Sequence, residues 1–126
     1  MIPFLYVFVE IQIDVQDMVD CLQVTLLQSN NDCQDVTRDM PHVYLLGTIQ
    51  FQHALPEAKD LLHEMGRIIS IPQVKPLSPG EVLGCTSPTL DQHDEDRRAI
   101  VCFVADGRFY WESTLISNPH IDAFYR

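Results

Sequence analysis

Short runs of β-branched and aromatic residues alternate with helical patterns along this chain, and that alternation constrains the fold more than any other feature. Residues 4–13, FLYVFVEIQI, make a run long enough for a central strand. Asp14 then caps a helical pattern in which Val15, Met18, Val19, Leu22 and Leu26 recur at three- and four-residue spacing. Gln28 to Pro41 is polar with little periodicity and reads as a surface loop. His42 to Ile49, HVYLLGTI, predicts a second buried strand. Pro56 suits the first turn of the next helix, because a proline there wastes no hydrogen bond. Ala58, Leu61, Leu62 and Met65 share one face of that helix, and Gly66 is a natural stop. Residues 67–71, RIISI, predict a short third strand, after which Pro72, Pro76 and Pro79 keep the chain extended through Gly80.

Glu81 to Gly84 reads as a fourth strand ending at Cys85, and Asp91 to Arg98 as a charged, exposed stretch. Ala99 to Ala105, AIVCFVA, is a strong strand followed by an Asp106-Gly107 turn. Two readings compete after that turn. Asp-Gly can close a hairpin onto YWESTLI, or a short helix through Glu112–Ser117 can lead to a last strand near Ile121–Tyr125. The earlier alternation favours the helix. Residues 1–126 thus predict a single α/β domain with a mostly parallel sheet flanked by helices.

Composition narrows the function classes. The chain has 126 residues and is 46% hydrophobic, enough for one ordinary core. Its net charge is −10, and Lys59 and Lys75 are its only lysines. Direct nucleic-acid binding needs basic patches that displace counterions from phosphates, so that class is disfavoured. The acidity suits a basic protein partner, although solubility alone accounts for it. No apolar run reaches the roughly 18–20 residues of a membrane span. The opening run is bounded by Glu10 and Asp14 and has no basic stretch before it, so it reads as a strand and not a secretory signal. A soluble, cytoplasmic protein is the expectation.

The cysteines stand at 21, 33, 85 and 102, with no CxxC pair. Neither a disulfide framework nor a complete zinc site fits that spacing, and any metal bound here needs ligands from elsewhere. His42, His53, His63, His93 and His120 share no ligand spacing. In an open parallel sheet, ligands sit at the carboxyl ends of strands. Cys85, Gln50 and Asp106 each follow a predicted strand, so the three can line one crevice, and Gly84 lets the backbone turn sharply before the thiol. Cys102 in its strand and Cys21 on its helix read as small buried hydrophobes, and Cys33 as an idle loop thiol. Asp106-Gly107-Arg108 is by default a turn with a solvated arginine. A redox-active thiol is a weak alternative, since Cys85 has no resolving cysteine nearby in sequence.

Four stretches carry a resemblance: Leu5–Asp14 (LYVFVEIQID), Gly47–Phe51 (GTIQF), Lys75–Pro88 (KPLSPGEVLGCTSP) and Asp106–Pro119 (DGRFYWESTLISNP). In this order and spacing they resemble the catalytic subunit 1 of the eukaryotic 2-(3-amino-3-carboxypropyl)histidine synthases of diphthamide biosynthesis. The resemblance covers nearly the whole chain apart from the loop at 28–41 and the acidic segment at 91–98. It implies three similar α/β domains around a central site, each giving one cysteine to a 4Fe-4S cluster. The implied cluster binds S-adenosyl-L-methionine and, when reduced, releases a 3-amino-3-carboxypropyl radical that adds to a histidine of translation elongation factor 2. The implied partners are a second related synthase subunit, forming a heterodimer, and a small zinc-ribbon electron donor.

By that resemblance Cys85 is the cluster ligand of the middle domain. Three thiolates would leave one iron open for the amino-acid end of S-adenosyl-L-methionine. Arg108 and Asp106 are candidates for holding that cofactor, Arg108 through a two-pronged bond to its carboxylate. No residue is carried over as catalytic. The family's first cluster cysteine lies in a His- and Gly-rich motif upstream, and its third lies beyond Arg126. Cys21, Cys33 and Cys102 match neither, so this chain alone is expected to be inactive. The rival expectation is a non-catalytic module that keeps the fold and binds the sister subunit or the elongation factor.

Overall fold

The computed structural model describes residues 2–5, 7, 9–31, 40–84, 86–91 and 97–126. Helix α1, Val15–Asn31, opens on Asp14. The Asp14 carboxylate accepts the backbone N–H groups of Gln16 at 3.0 Å and Asp17 at 3.1 Å, satisfying donors that the first turn cannot. The helix continues through residues 28–31, where polar composition predicted loop, because an established helix extends over polar residues at little cost.

Four short strands follow: β1 (His42–Gly47), β2 (Ile68–Ser70), β3 (Ala99–Val104) and β4 (Ala123–Tyr125). They form one sheet in the order β2-β1-β3-β4, and every pair is parallel. A single 3-10 turn, Gln52–Ala54, leads from β1 into helix α2, Leu55–Glu64, with Pro56 in its first turn. Helix α3, Phe109–Ser117, joins β3 to β4, so Asp106-Gly107 starts a helix and not a hairpin.

Alternate residues of the strands feed two separate cores, as a sheet covered on both faces requires. On one face Val43, Leu45, Ile69, Ile100 and Cys102 pack with Val19 and Leu26 of α1 and Leu55, Ala58 and Leu62 of α2. On the other, Tyr44, Leu46, Ala99, Val101 and Phe103 pack with Val82, Leu90 and Ile121, with Tyr110 and Trp111 of α3 alongside. Burying a side chain of this size contributes about 1.5–3 kcal/mol. The apolar composition of the 42–49 and 99–105 runs follows from this double coverage.

Three further expectations fail. Residues 4–13 are not a central strand, and their described members hold no strand and, except for the half-buried Ile13, lie exposed. The reason is positional. Ile11 N–H donates to the Gln50 carbonyl at 3.1 Å, just past the end of β1, and β1 is already paired on both sides. No free ladder remains beside it. Residues 81–84 are not a strand either. Glu81 makes one parallel bridge to Gly47, and Leu83 one antiparallel bridge to Thr86. Gly80 and Gly84 sit at positive φ, 78° and 57°, and turn the chain at each end of the segment. Third, Cys21 is exposed on α1 and not buried.

Candidate functional site

The direction of chain crossing creates the site. From β1 the chain passes through α2 to β2 on one side; from β3 it passes through α3 to β4 on the other. Helices α2 and α3 pack on opposite faces. The strand order therefore reverses between β1 and β3, and the carboxyl ends of those strands border a crevice. There Gly47 stands opposite Val104 in register. A Cβ on Gly47 would lie 2.9 Å from the Val104 carbonyl oxygen, so only glycine permits this approach.

The loop after Gly80 closes one side of the crevice. Gly47 N–H donates to Gly80 O at 2.8 Å, and Val82 N–H to Gly47 O at 3.0 Å. The buried Glu81 carboxylate accepts the Ser78 N–H at 3.1 Å. Gly84 then turns the chain, and Thr86 N–H donates to Leu83 O at 3.0 Å. Cys85 itself lies outside the described residues, as does Cys33. The residues beyond it are firmly held. Ser87 Oγ and Ser113 Oγ of α3 are 2.9 Å apart.

Asn118 is the centre of this attachment. Its amide is fully buried. Oδ1 accepts the Leu90 N–H at 2.7 Å, while Nδ2 donates to the carbonyls of Pro88 and Thr114, both at 2.9 Å. Carbonyls only accept and an amide N–H only donates, which leaves one orientation for the side chain. The Tyr44 hydroxyl donates to Asp91 O at 2.6 Å, and His120 Nε2–H to Leu90 O at 2.7 Å. Burial, with the Asp91 carboxylate adding to it, pushes the Tyr44 phenol above its ordinary range, so it stays a donor at neutral pH.

Polar atoms without partners stand after β1 and at the start of α3. Thr48 Oγ1 and Gln50 Oε1 follow β1, His53 Nδ1 is in the turn before α2, and Trp111 Nε1 is in the first turn of α3. All four are buried with no hydrogen-bond partner. Native interiors rarely leave such atoms unpaired, so each calls for a ligand, water or ion. Gln50 was legible as a residue after a strand; the others were not.

Asp106 and Arg108 follow β3 as expected but are exposed. The Arg108 side chain is 78% exposed and sits 3.5 Å from the Glu112 carboxylate one turn along. Cys102 faces the other core, and burial pushes its thiol up to about 12. Cys21 and Cys102 line an apolar pocket of about 220 Å³ between α1 and the ends of β3 and β4, away from the loop that flanks Cys85. Among the described residues no three His, Cys, Asp or Glu side chains are grouped to hold a metal ion. Among them, too, no helix is long and apolar enough to cross a membrane. Sequence reasoning missed Asn118. Next to Pro119 it reads as a helix stop, and nothing local marks its amide as buried.

Comparison with known proteins follows this geometry. A family model described as "Putative diphthamide synthesis protein" matches residues 1–126. The chain is 41% identical over 127 residues to 2-(3-amino-3-carboxypropyl)histidine synthase subunit 1 of Dictyostelium discoideum, covering 98% of the chain and 25% of that protein. It is 40% identical over 129 residues to the Schizosaccharomyces pombe protein of the same name, covering 98% and 26%. The human protein of that name is 41% identical over 120 residues, covering 95% and 24%. The chain therefore spans about a quarter of the length of the curated relatives it matches. No solved structure matches it.

Proposed function

Because the chain belongs to the diphthamide synthesis protein family, we propose that it is part of a transferase subunit that places a 3-amino-3-carboxypropyl group on a histidine of translation elongation factor 2. On this reading it works in the cytoplasm with a second, related subunit. A small zinc-ribbon protein delivers the electrons. The relatives' shared name, synthase subunit 1, supports both the reaction class and the partner subunit.

The observation that carries the reading is the anchoring of the residues around Cys85. Gly84 turns the chain beside the end of β1, and Ser87, Pro88 and Leu90 are tied to α3 and its end. A thiolate that must keep its place on a metal needs such a support. A 4Fe-4S cluster with S-adenosyl-L-methionine would supply the reductive, radical cleavage of a carbon–sulfur bond. Cys85 is the ligand this chain offers, and the remaining thiolates would come from polypeptide outside it; among the described residues no three His, Cys, Asp or Glu side chains are grouped to hold a metal ion. The partnerless atoms of Thr48, Gln50 and Trp111 fit a polar cofactor in the crevice. Asp106 and Arg108 are free to reach it from the β3 side.

The test is Cys85→Ser in the full-length subunit paired with its sister. Folding and pairing should persist, iron should be lost or become labile, and transfer to elongation factor 2 should fall sharply. Full iron and full activity would sink the assignment. Iron loss without any transfer in the unaltered protein would favour the rival, a non-catalytic module that binds the sister subunit or the elongation factor.

A further inference from the structure

The pocket between α1 and the ends of β3 and β4 collects sulfur. Met18 and Cys21 stand three residues apart on α1, so they share one side of that helix, and Cys102 comes from β3. All three line the same volume of about 220 Å³. Cys21 is exposed, whereas Cys102 is buried, and Met18 packs against the core cluster that contains it. Among the described residues nothing hydrogen-bonds the Cys102 thiol. Leu22, Phe103 and Val104 make much of the remaining wall, and no described His, Asp or Glu lines it. The cluster assignment uses Cys85 and leaves these sulfurs without a role.

Donor chemistry chooses the ligand. Magnesium and calcium take oxygen ligands, and structural zinc takes Cys and His in sets of about four. Two thiols with a thioether are a soft, low-coordinate set, which selects Cu(I). A disulfide between Cys21 and Cys102 would need their Cα atoms within about 7 Å, closer than a helix rides on a sheet. An ion between the sulfurs instead adds two metal–sulfur bonds of about 2.3 Å each. We propose that Met18, Cys21 and Cys102 form a binding site for a soft monovalent metal ion of the copper(I) class, held by the two thiolates with the thioether assisting. Each thiol gives its proton to water as its copper–sulfur bond forms, and the copper stays in the +1 state. Two thiolates around one monovalent cation leave one negative charge, and Arg126, which lines the same pocket, offsets it. Burial pushes the Cys102 thiol up to about 12, so the ion displaces a tightly held proton and binding tightens as pH rises.

Alkylation of Cys21 by iodoacetamide tests this in the full-length subunit paired with its sister, read residue by residue by mass spectrometry. Buffered Cu(I), kept anaerobic, should slow the reaction at Cys21 at least about 10-fold, because the free thiolate is the nucleophile. An unchanged rate overturns the proposal. A Cys21 that resists alkylation without copper would show the pocket covered in the assembled protein, and that also overturns it. Cys102→Ala should abolish the protection, whereas protection that survives would mean that Cys21 alone holds the metal. Should Cys102→Ala not fold, Cys102→Val refills the volume and decides the same point. Met18→Leu, close in volume, should weaken copper binding about 10-fold, and undiminished binding would overturn the three-sulfur site. Equal protection by Zn(II) at the same free concentration would overturn the assignment to a soft ion. The outcome is separable from the cluster assignment, since copper should protect Cys21 in Cys85→Ser whatever happens to its iron.

Discussion

Two loops reach the crevice, and they are built differently. The stretch after Cys85 is locked from several sides: Asn118 holds Pro88 and Leu90, Tyr44 holds Asp91, His120 holds Leu90, and Ser113 meets Ser87. The stretch after β3, Asp106–Arg108, is exposed and has one surface ion pair to Glu112. The first loop has little freedom to lose when it takes a ligand, whereas the second must be ordered when it does. A ligand to a metal belongs on the first kind. A residue that meets a cofactor as it enters can sit on the second.

The largest expected effect comes from cutting the lock. Asn118→Ala leaves a buried N–H and two carbonyls without their partner, and should lower stability by about 2–4 kcal/mol. Urea unfolding measures the loss, and exchange at residues 86–91 should rise more than exchange at β1. A loss below about 1 kcal/mol, within the range of an ordinary surface substitution plus error, would mean that the loop is not held through Asn118.

An intermediate effect separates a thiol in the core from one on the locked loop. Cys102→Ser puts a hydroxyl into the α1–α2 core and should cost about 1–2 kcal/mol. Iron content of the full-length protein should not change, the opposite of the Cys85→Ser result. The same thiol has a pH signature. Its ordinary value is 9.0, and burial raises it to about 12 in the fold. The unfolded chain therefore releases the proton first. The contribution is complete below about pH 9 and is lost as pH rises toward 12. Tyr44, also raised, adds an alkaline loss of its own. Cys102→Ala should flatten the thiol's part of that profile in pH-dependent unfolding.

The smallest effect belongs to the exposed loop. Arg108→Ala removes one solvent-screened pair and should change stability by less than about 0.5 kcal/mol. Binding of S-adenosyl-L-methionine to the full-length protein should weaken with iron content unaltered. Unchanged affinity would return Arg108 to a surface role, and a large stability loss would erase the contrast between the loops.

Much of this was legible in the sequence because it is local. The Asp14 cap, the apolar stripe of α1, Pro56 at the start of α2 and the apolar runs of β1 and β3 each express themselves within a few residues. The alternation of these elements was enough for a parallel α/β sheet and for helix over hairpin after Asp106-Gly107. Tertiary structure decided what depends on distant partners. Residues 4–13 have the composition of a strand, but composition does not say which sheet has an open edge, and the end of β1 has none to give. Cys21 lies on an amphipathic helix, yet the open pocket between α1 and the ends of β3 and β4 leaves it exposed. Asn118 looks like a helix stop beside Pro119, and only the fold brings Pro88 and Leu90 to its amide. Periodicity records which way a side chain must point, while pairing, burial and satisfaction of a polar group depend on chain that is remote in sequence.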